Sequence, residues 1–211
     1  MIKAVIFDMD GVLIEAKDWH YEALNRALAL FGFEISRYQH LTTYDGLPTS
    51  KKLEMLSLEG GLPRELHSFI NEMKQAYTME IVHAKCKPRF VHEYALSTLK
   101  SKGYKLAVAS NSVRSTVEVM MHKARLDGYL DAMLSTADVT RAKPDPEMYI
   151  TAMQRLGFKP DECLVVEDNE NGIKAARASG AHVLVVSDVS EVNISNITAA
   201  IAQAESKGVA A

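Results

Sequence analysis

Cysteine is nearly missing from this chain: Cys86 and Cys163, far apart in sequence, are the two among 211 residues. That excludes a dense disulfide framework, and the expectation is two reduced thiols in a reducing compartment. A surplus of either charge is missing too. Lys and Arg number 24 against 27 Asp and Glu, a net charge of -3, which gives no electrostatic argument for nucleic acid or an anionic membrane. An anionic substrate must then be attracted by a local arrangement of groups. Long apolar runs are lacking as well: none approaches the ~18–20 residues needed to cross a bilayer. The N-terminal apolar run stops at Asp8, too early for the core of a signal peptide. No internal repeat or low-complexity segment is found. What is present is ordinary for a folded soluble protein, 47% hydrophobic and 24% charged residues. The expectation is a cytoplasmic protein, monomeric or weakly dimeric, with one sizeable domain or a core carrying a smaller insertion.

The chain opens on the apolar run Ala4-Val5-Ile6-Phe7 and then gives Asp8-Met9-Asp10-Gly11-Val12. The run is too short for a capped helix and reads as a buried parallel strand. If strand geometry persists, the two carboxylates leave on one side, and Gly11 permits a sharp exit. Carboxylates so close repel unless a cation lies between them or one keeps a proton. A solvated loop is an equal reading of an isolated D-x-D, so the decision rests on the rest of the chain. After Gly11 the period becomes helical: Trp19, Ala23, Ala27 and Phe31 recur, and Gly32 is placed to end the helix. Helical patterns continue over 51–58 and 64–82, with breaks at Gly46-Leu47-Pro48 and Gly60-Gly61-Leu62-Pro63 and no buried strand between 15 and 85. Beyond Pro88 strands and helices alternate. Strands are predicted at 105–109, 163–166 and 182–186, with a short apolar segment at 132–134. Helices are predicted at 91–102, 115–123, 147–156 and 172–179, and a frayed end at 208–211. The pattern predicts an α/β fold, a Rossmann-like parallel sheet with a small helical domain inserted after the first strand. Residues 1–14 and 88–211 form the predicted core and 15–87 the insertion.

Polar clusters stand where the loops after strands begin. Ser110-Asn111-Ser112 follows the strand ending at Ala109, Glu167-Asp168-Asn169 follows the one ending at Val166, and Lys143-Pro144 precedes a helix. Parallel strands share one carboxyl rim, where α/β proteins bind ligands, so Asp8, Asp10, Ser110, Lys143 and Asp168 can converge there. Several carboxylates without histidine suit a hard divalent cation, and Mg2+ above all, held by one or two carboxylates with waters and a phosphate. Ser110, Lys143 and loop N–H groups can bind phosphate oxygens. A carboxylate nucleophile beside a second carboxyl acid/base is a route to covalent phosphoryl transfer.

These four segments, in this order, resemble the motifs of the haloacid dehalogenase-like hydrolase superfamily in its phosphatase and β-phosphoglucomutase branch. Asp8-Met9-Asp10-Gly11-Val12 is similar to the first motif, Ser110-Asn111-Ser112 to the second, Lys143-Pro144 to the third and Glu167-Asp168 to the fourth. The resemblance spans nearly the whole chain and implies that the insertion is a helical cap. It implies Asp8 as the nucleophile forming an aspartyl-phosphate and Asp10 as the acid that protonates the leaving oxygen and then activates water. Ser110, Asn111 and Lys143 would bind the phosphoryl group, with His20 of the cap at the substrate. Mg2+ would be held by the Asp8 side chain, the Asp10 backbone carbonyl and Asp168, supported by Glu167. Asp10 also disfavours the dehalogenase branch, whose members lack a second acid. The expected activity is a Mg2+-dependent phosphatase acting on a small phosphate ester such as a sugar or polyol phosphate. The runner-up is a sugar phosphomutase, in whose resembled relative an arginine follows the cap-loop glycine; here Thr49 stands there. A third reading is a non-catalytic phospholigand-binding module, which would need no second acid. Trp19 and Tyr44 are read as packing residues, Arg177 as surface, and Asn171 and Gly172 as loop-shaping.

Overall fold

A computed structural model describes residues 1–44 and 47–208. The break read at Gly46 and the last three residues of the predicted frayed end lie outside them. The chain divides into two compact units, Met1–Glu15 with Lys87–Ala211, and Ala16–Cys86. In chain order the elements are β1 (Ala4–Phe7), α1 (Lys17–Ala29), α2 (Arg37–Gln39), α3 (Thr49–Gly60), α4 (His67–Lys85), α5 (Phe90–Ser101), β2 (Lys105–Ala109) and α6 (Arg114–Lys123). They continue with β3 (Ala132–Leu134), α7 (Glu147–Leu156), β4 (Cys163–Glu167), α8 (Glu170–Ala178), β5 (His182–Val185) and α9 (Ile194–Gly208).

All five strands run parallel in the order β3-β2-β1-β4-β5. β1 is central because every one of its residues is apolar and buried, so it tolerates helices on both faces. Alternate residues serve the two faces. Ala4 and Ile6 join Met148, Tyr149, Ala152 and Met153 of α7 and Ala175 and Ala176 of α8 in one cluster. α5 and α9 pack on each other and on β2 and β5 respectively. The 132–134 segment is the edge strand β3. At the other edge β5 is half-buried, with Val185 exposed, because a strand with one neighbour is covered less fully.

α9 was not predicted from the sequence. Its apolar stripe, Ile197, Ile201 and Ala204, is buried at helical spacing, but the surrounding alanines dilute the contrast between its two faces. The helical unit is organised by α1 against α4 and encloses Leu24, Leu28, Ile35, Tyr44, Leu53 and Ile70. Gly32 and Gly61 take φ of 76° and 72° just past α1 and α3, the left-handed exit a side chain resists.

The carboxyl rim is braced by Asp138, in the turn after β3. It accepts from Ser135 N and Oγ at 2.8 and 2.9 Å, from Arg155 at 2.6 Å, and from Arg114, whose Nη1 also donates to the Met133 carbonyl. Burial alone would raise its pKa, yet the Ser135 N–H, Arg155, the Ser135 hydroxyl and Arg114 outweigh it and lower it to about 2. A folded-state pKa below the unfolded one stabilises above about pH 4 and is lost as pH falls through 2. Asp138→Asn should cost about 1–2 kcal/mol at neutral pH, discounted for two half-exposed arginines, and only a few tenths near pH 2. Urea unfolding of both proteins at the two pH values checks this; a penalty that stays constant with pH defeats the assignment.

Candidate active site

Register assembles the site. Phe7 pairs with Val108 on one side and Val166 on the other, so the next residues, Asp8, Ala109 and Glu167, stand level at the strand ends. The Asp8 N–H continues the ladder to the Val166 carbonyl at 3.0 Å. Strand geometry does not persist to Asp10, so the condition for both carboxylates to leave on one side is not met. The chain folds over Met9, whose carbonyl accepts from the N–H groups of Val12, Leu13 and Ile14, and Gly11 takes φ 93°, a conformation that glycine allows. Asp8 and Asp10 nevertheless remain near enough for Asp10 to raise the Asp8 pKa.

Lys143 lies at the centre, 4% exposed. Its Nζ donates to Asp8 Oδ1 at 2.6 Å, to the Tyr149 hydroxyl at 2.7 Å and to Glu167 Oε1 at 2.8 Å. Three protons thus meet three acceptors. Burial alone would drive its pKa down, but the Asp8 and Glu167 charges prevail and raise it. The lysine can neutralise one carboxylate, and Glu167 is better placed to be it. Glu167 also receives the Tyr149 O–H at 2.7 Å and the N–H groups of Asp168 and Asn169 at 2.9 and 3.1 Å. Against burial, Lys143, Tyr149 and the Asn169 N–H hold its carboxyl below the usual range. Asp8 goes the other way. Burial, then the charges of Glu167, Asp10 and Asp168, push its pKa well up against the pull of Lys143.

Four carboxylates thus crowd one ammonium, an imbalance that a divalent cation corrects. Asp8, Glu167 and Asp168 each offer a carboxylate oxygen, all within 4.8 Å of one another. This all-oxygen donor set fits Mg2+.

The loop after β2 supplies the remaining groups. Ser110, 1% exposed, accepts the Ser112 N–H at 3.1 Å, which leaves its hydroxyl proton to donate elsewhere. The Asn111 side chain, expected at the phosphate, instead grips the Lys143 backbone: Oδ1 accepts its N–H at 3.1 Å and Nδ2 donates to its carbonyl at 3.3 Å. An amide carries both a donor and an acceptor, so it closes this pair and fixes the lysine from 32 residues away. The Lys143–Pro144 peptide is cis. His20 falls on α1 in the helical unit, half-buried, with Nδ1 3.5 Å from the Nζ of buried Lys74.

Two contacts escaped the sequence. Tyr149 stands in the apolar stripe of α7 and reads as core, yet its hydroxyl joins Lys143 to Glu167. Gly172 reads as a loop former, yet a Cβ there would lie 1.6 Å from Glu167 Oε1. The only signal for either was its distance in sequence from a motif.

Comparison with known proteins gives the family. The haloacid dehalogenase-like hydrolase family model matches residues 5–186. A phosphorylated carbohydrates phosphatase of Thermotoga maritima is 30% identical over 85% of this chain and 82% of its own. A fructose-1-phosphate phosphatase of Escherichia coli is 26% identical over 83% and 92%. The crystal structure of β-phosphoglucomutase from Clostridium difficile superposes with a TM-score of 0.83 over 96% of this chain and 98% of that one; at 20% identity it speaks for the fold alone. Strand-end carboxylates, buried lysine and sequence match converge: the chain belongs to the haloacid dehalogenase-like hydrolase family, in the branch of phosphatases and β-phosphoglucomutases.

Proposed function

We propose that this chain, a phosphoric monoester hydrolase, is a Mg2+-dependent phosphatase of a small sugar or polyol phosphate, working through an aspartyl-phosphate on Asp8. The observation that carries the reading is the buried Lys143 joined to Asp8 and Glu167 at 2.6 and 2.8 Å beside the Asp8, Glu167 and Asp168 oxygens. An Asp8 oxygen attacks phosphorus and the ester P–O bond breaks, the leaving oxygen taking its proton from the Asp10 carboxyl. Water then attacks the aspartyl-phosphate, yields its proton to the Asp10 carboxylate, and the bond to Asp8 breaks, releasing inorganic phosphate. Ser110 donates to a phosphoryl oxygen, and Lys143 offsets the phosphoryl charge, with Asn111 holding its backbone.

Mg2+, held by the Asp8 side chain, the Asp10 carbonyl and Asp168 with Glu167 in support, supplies the positive charge that favours ionised Asp8 and balances phosphoryl oxygens. Residues 15–87, the helical insertion after β1, are read as the cap domain of the family. Sugar phosphates are the favoured class because relatives are named for phosphorylated carbohydrates and for fructose 1-phosphate. Thr49, at the start of α3, offers no guanidinium for a second phosphate, which favours hydrolysis over mutase chemistry.

With Mg2+ the protein should release inorganic phosphate from p-nitrophenyl phosphate and from sugar phosphates. EDTA should lower the rate at least about 100-fold, reversibly. Turnover that survives exhaustive chelation defeats the metal assignment. Glucose 6-phosphate formed from β-glucose 1-phosphate and a trace of bisphosphate, without inorganic phosphate, would favour the mutase instead.

A further inference from the structure

Ser112 has three polar groups, each with a separate partner. Its N–H donates to Ser110 Oγ at 3.1 Å, and its carbonyl accepts the Thr136 N–H at 3.1 Å. Its hydroxyl donates to Asp10 Oδ2 at 3.1 Å, across 102 residues of sequence. The first two bonds fix the backbone of the loop after β2 to the phosphate-facing serine and to the turn after β3. That turn is itself anchored, since Asp138 within it grips Arg114 of α6 and Arg155 of α7. The third bond therefore reaches Asp10 from a rigid base.

Asp10 needs such a hold. It stands beyond the end of β1, on the turn over Met9, where its backbone bridges Ile14 and no longer pairs with β2 or β4, so the direction of its carboxyl is left to side-chain contacts. A carboxyl acid must meet the leaving oxygen within hydrogen-bond reach, and about 1 Å of misplacement can cost about 100-fold. A hydroxyl is suited to the task because it donates to a carboxylate and accepts from a carboxylic acid, so one contact serves both halves of the cycle.

We propose that Ser112 is a positioning residue for proton transfer, its hydroxyl orienting the Asp10 carboxyl toward the ester oxygen that departs. This rests on the reading of Asp10 as the acid. Ser112→Ala removes the hydroxyl alone and leaves both backbone bonds in place.

The test compares kcat/KM, which stops at departure of the leaving group, for two esters. An alkyl phosphate such as a sugar phosphate needs the proton; p-nitrophenyl phosphate, whose leaving group is stable as an anion, needs it far less. Ser112→Ala should lower kcat/KM about tenfold or more on the alkyl ester and at most about threefold on the aryl ester. Ser112→Thr, which keeps the hydroxyl, should recover most of the loss. Asp10→Asn should show the same split, larger. Equal losses on both esters, or none, in Ser112→Ala while Asp10→Asn keeps its split overturn the positioning role alone. Loss of the split in Asp10→Asn overturns the acid assignment and this inference with it.

Discussion

Asp8→Asn is expected to lower turnover at least about 10^3-fold while leaving the fold intact. An amide oxygen cannot form the acyl-phosphate, so the covalent route closes. The same change should not destabilise the metal-free protein, and this is the sharper half of the prediction. Burial and the charges of Glu167, Asp10 and Asp168 raise the Asp8 pKa, so the folded state resists its charge. A raised folded-state pKa means that stability from this group is greatest below the unfolded pKa near 4 and declines as pH rises through the folded one. Asparagine removes the charge yet can still accept from Lys143, which keeps Glu167 at 2.8 Å. Thermal unfolding in EDTA should give a Tm equal to or above that of the unmutated chain. Turnover within tenfold of the original would end the nucleophile assignment, and a large fall in Tm would show that the Asp8–Lys143 pair is a net stabiliser.

Gly172→Ala should be nearly as damaging to activity without touching substrate. The added methyl would lie 1.6 Å from Glu167 Oε1 and 2.5 Å from Oε2, so the carboxylate must leave its place. Its bonds to Lys143, to Tyr149 and to the N–H groups of Asp168 and Asn169 depend on that place. Breaking them leaves a buried ammonium short of a partner. The expected cost is about 3 kcal/mol, a Tm lower by roughly 6–12 °C for a chain of this size, with activity down at least about 100-fold. Gly60→Ala is the control: its Cβ would meet nothing within 4 Å, and a helical alanine is neutral or slightly stabilising. Calorimetry and steady-state rates of the two variants decide the matter. Equal behaviour would mean that Glu167 has room to move.

Much of the fold is legible locally. Ala4–Phe7, Lys105–Ala109 and the start of β4 announce themselves as short apolar runs ending in polar clusters, because a strand buried on both faces must be apolar throughout. Asp8 and Asp168 stand out as charges just past such runs and Lys143 as a cation before a proline that opens a helix, and their order along the chain resembles a known pattern. α9 is not legible because the alanines around its Ile197 and Ile201 stripe blur the contrast between its faces. The jobs of Asn111 and Tyr149 were lost because an amide in a loop and a tyrosine in an apolar helix face have ordinary uses.

The sequence by itself determined which segments become strands and which residue types reach their carboxyl ends, since periodicity and turn chemistry act over a few neighbours. The tertiary structure decided that β1 lies between β2 and β4, that Asn111 holds Lys143, that Ser112 reaches Asp10, and that Glu167 occupies the space a side chain at position 172 would need. Most of those facts join residues far apart in the chain, Ala4 with Cys163 and Asp10 with Ser112 among them, and packing in space, which no local pattern encodes, selects them.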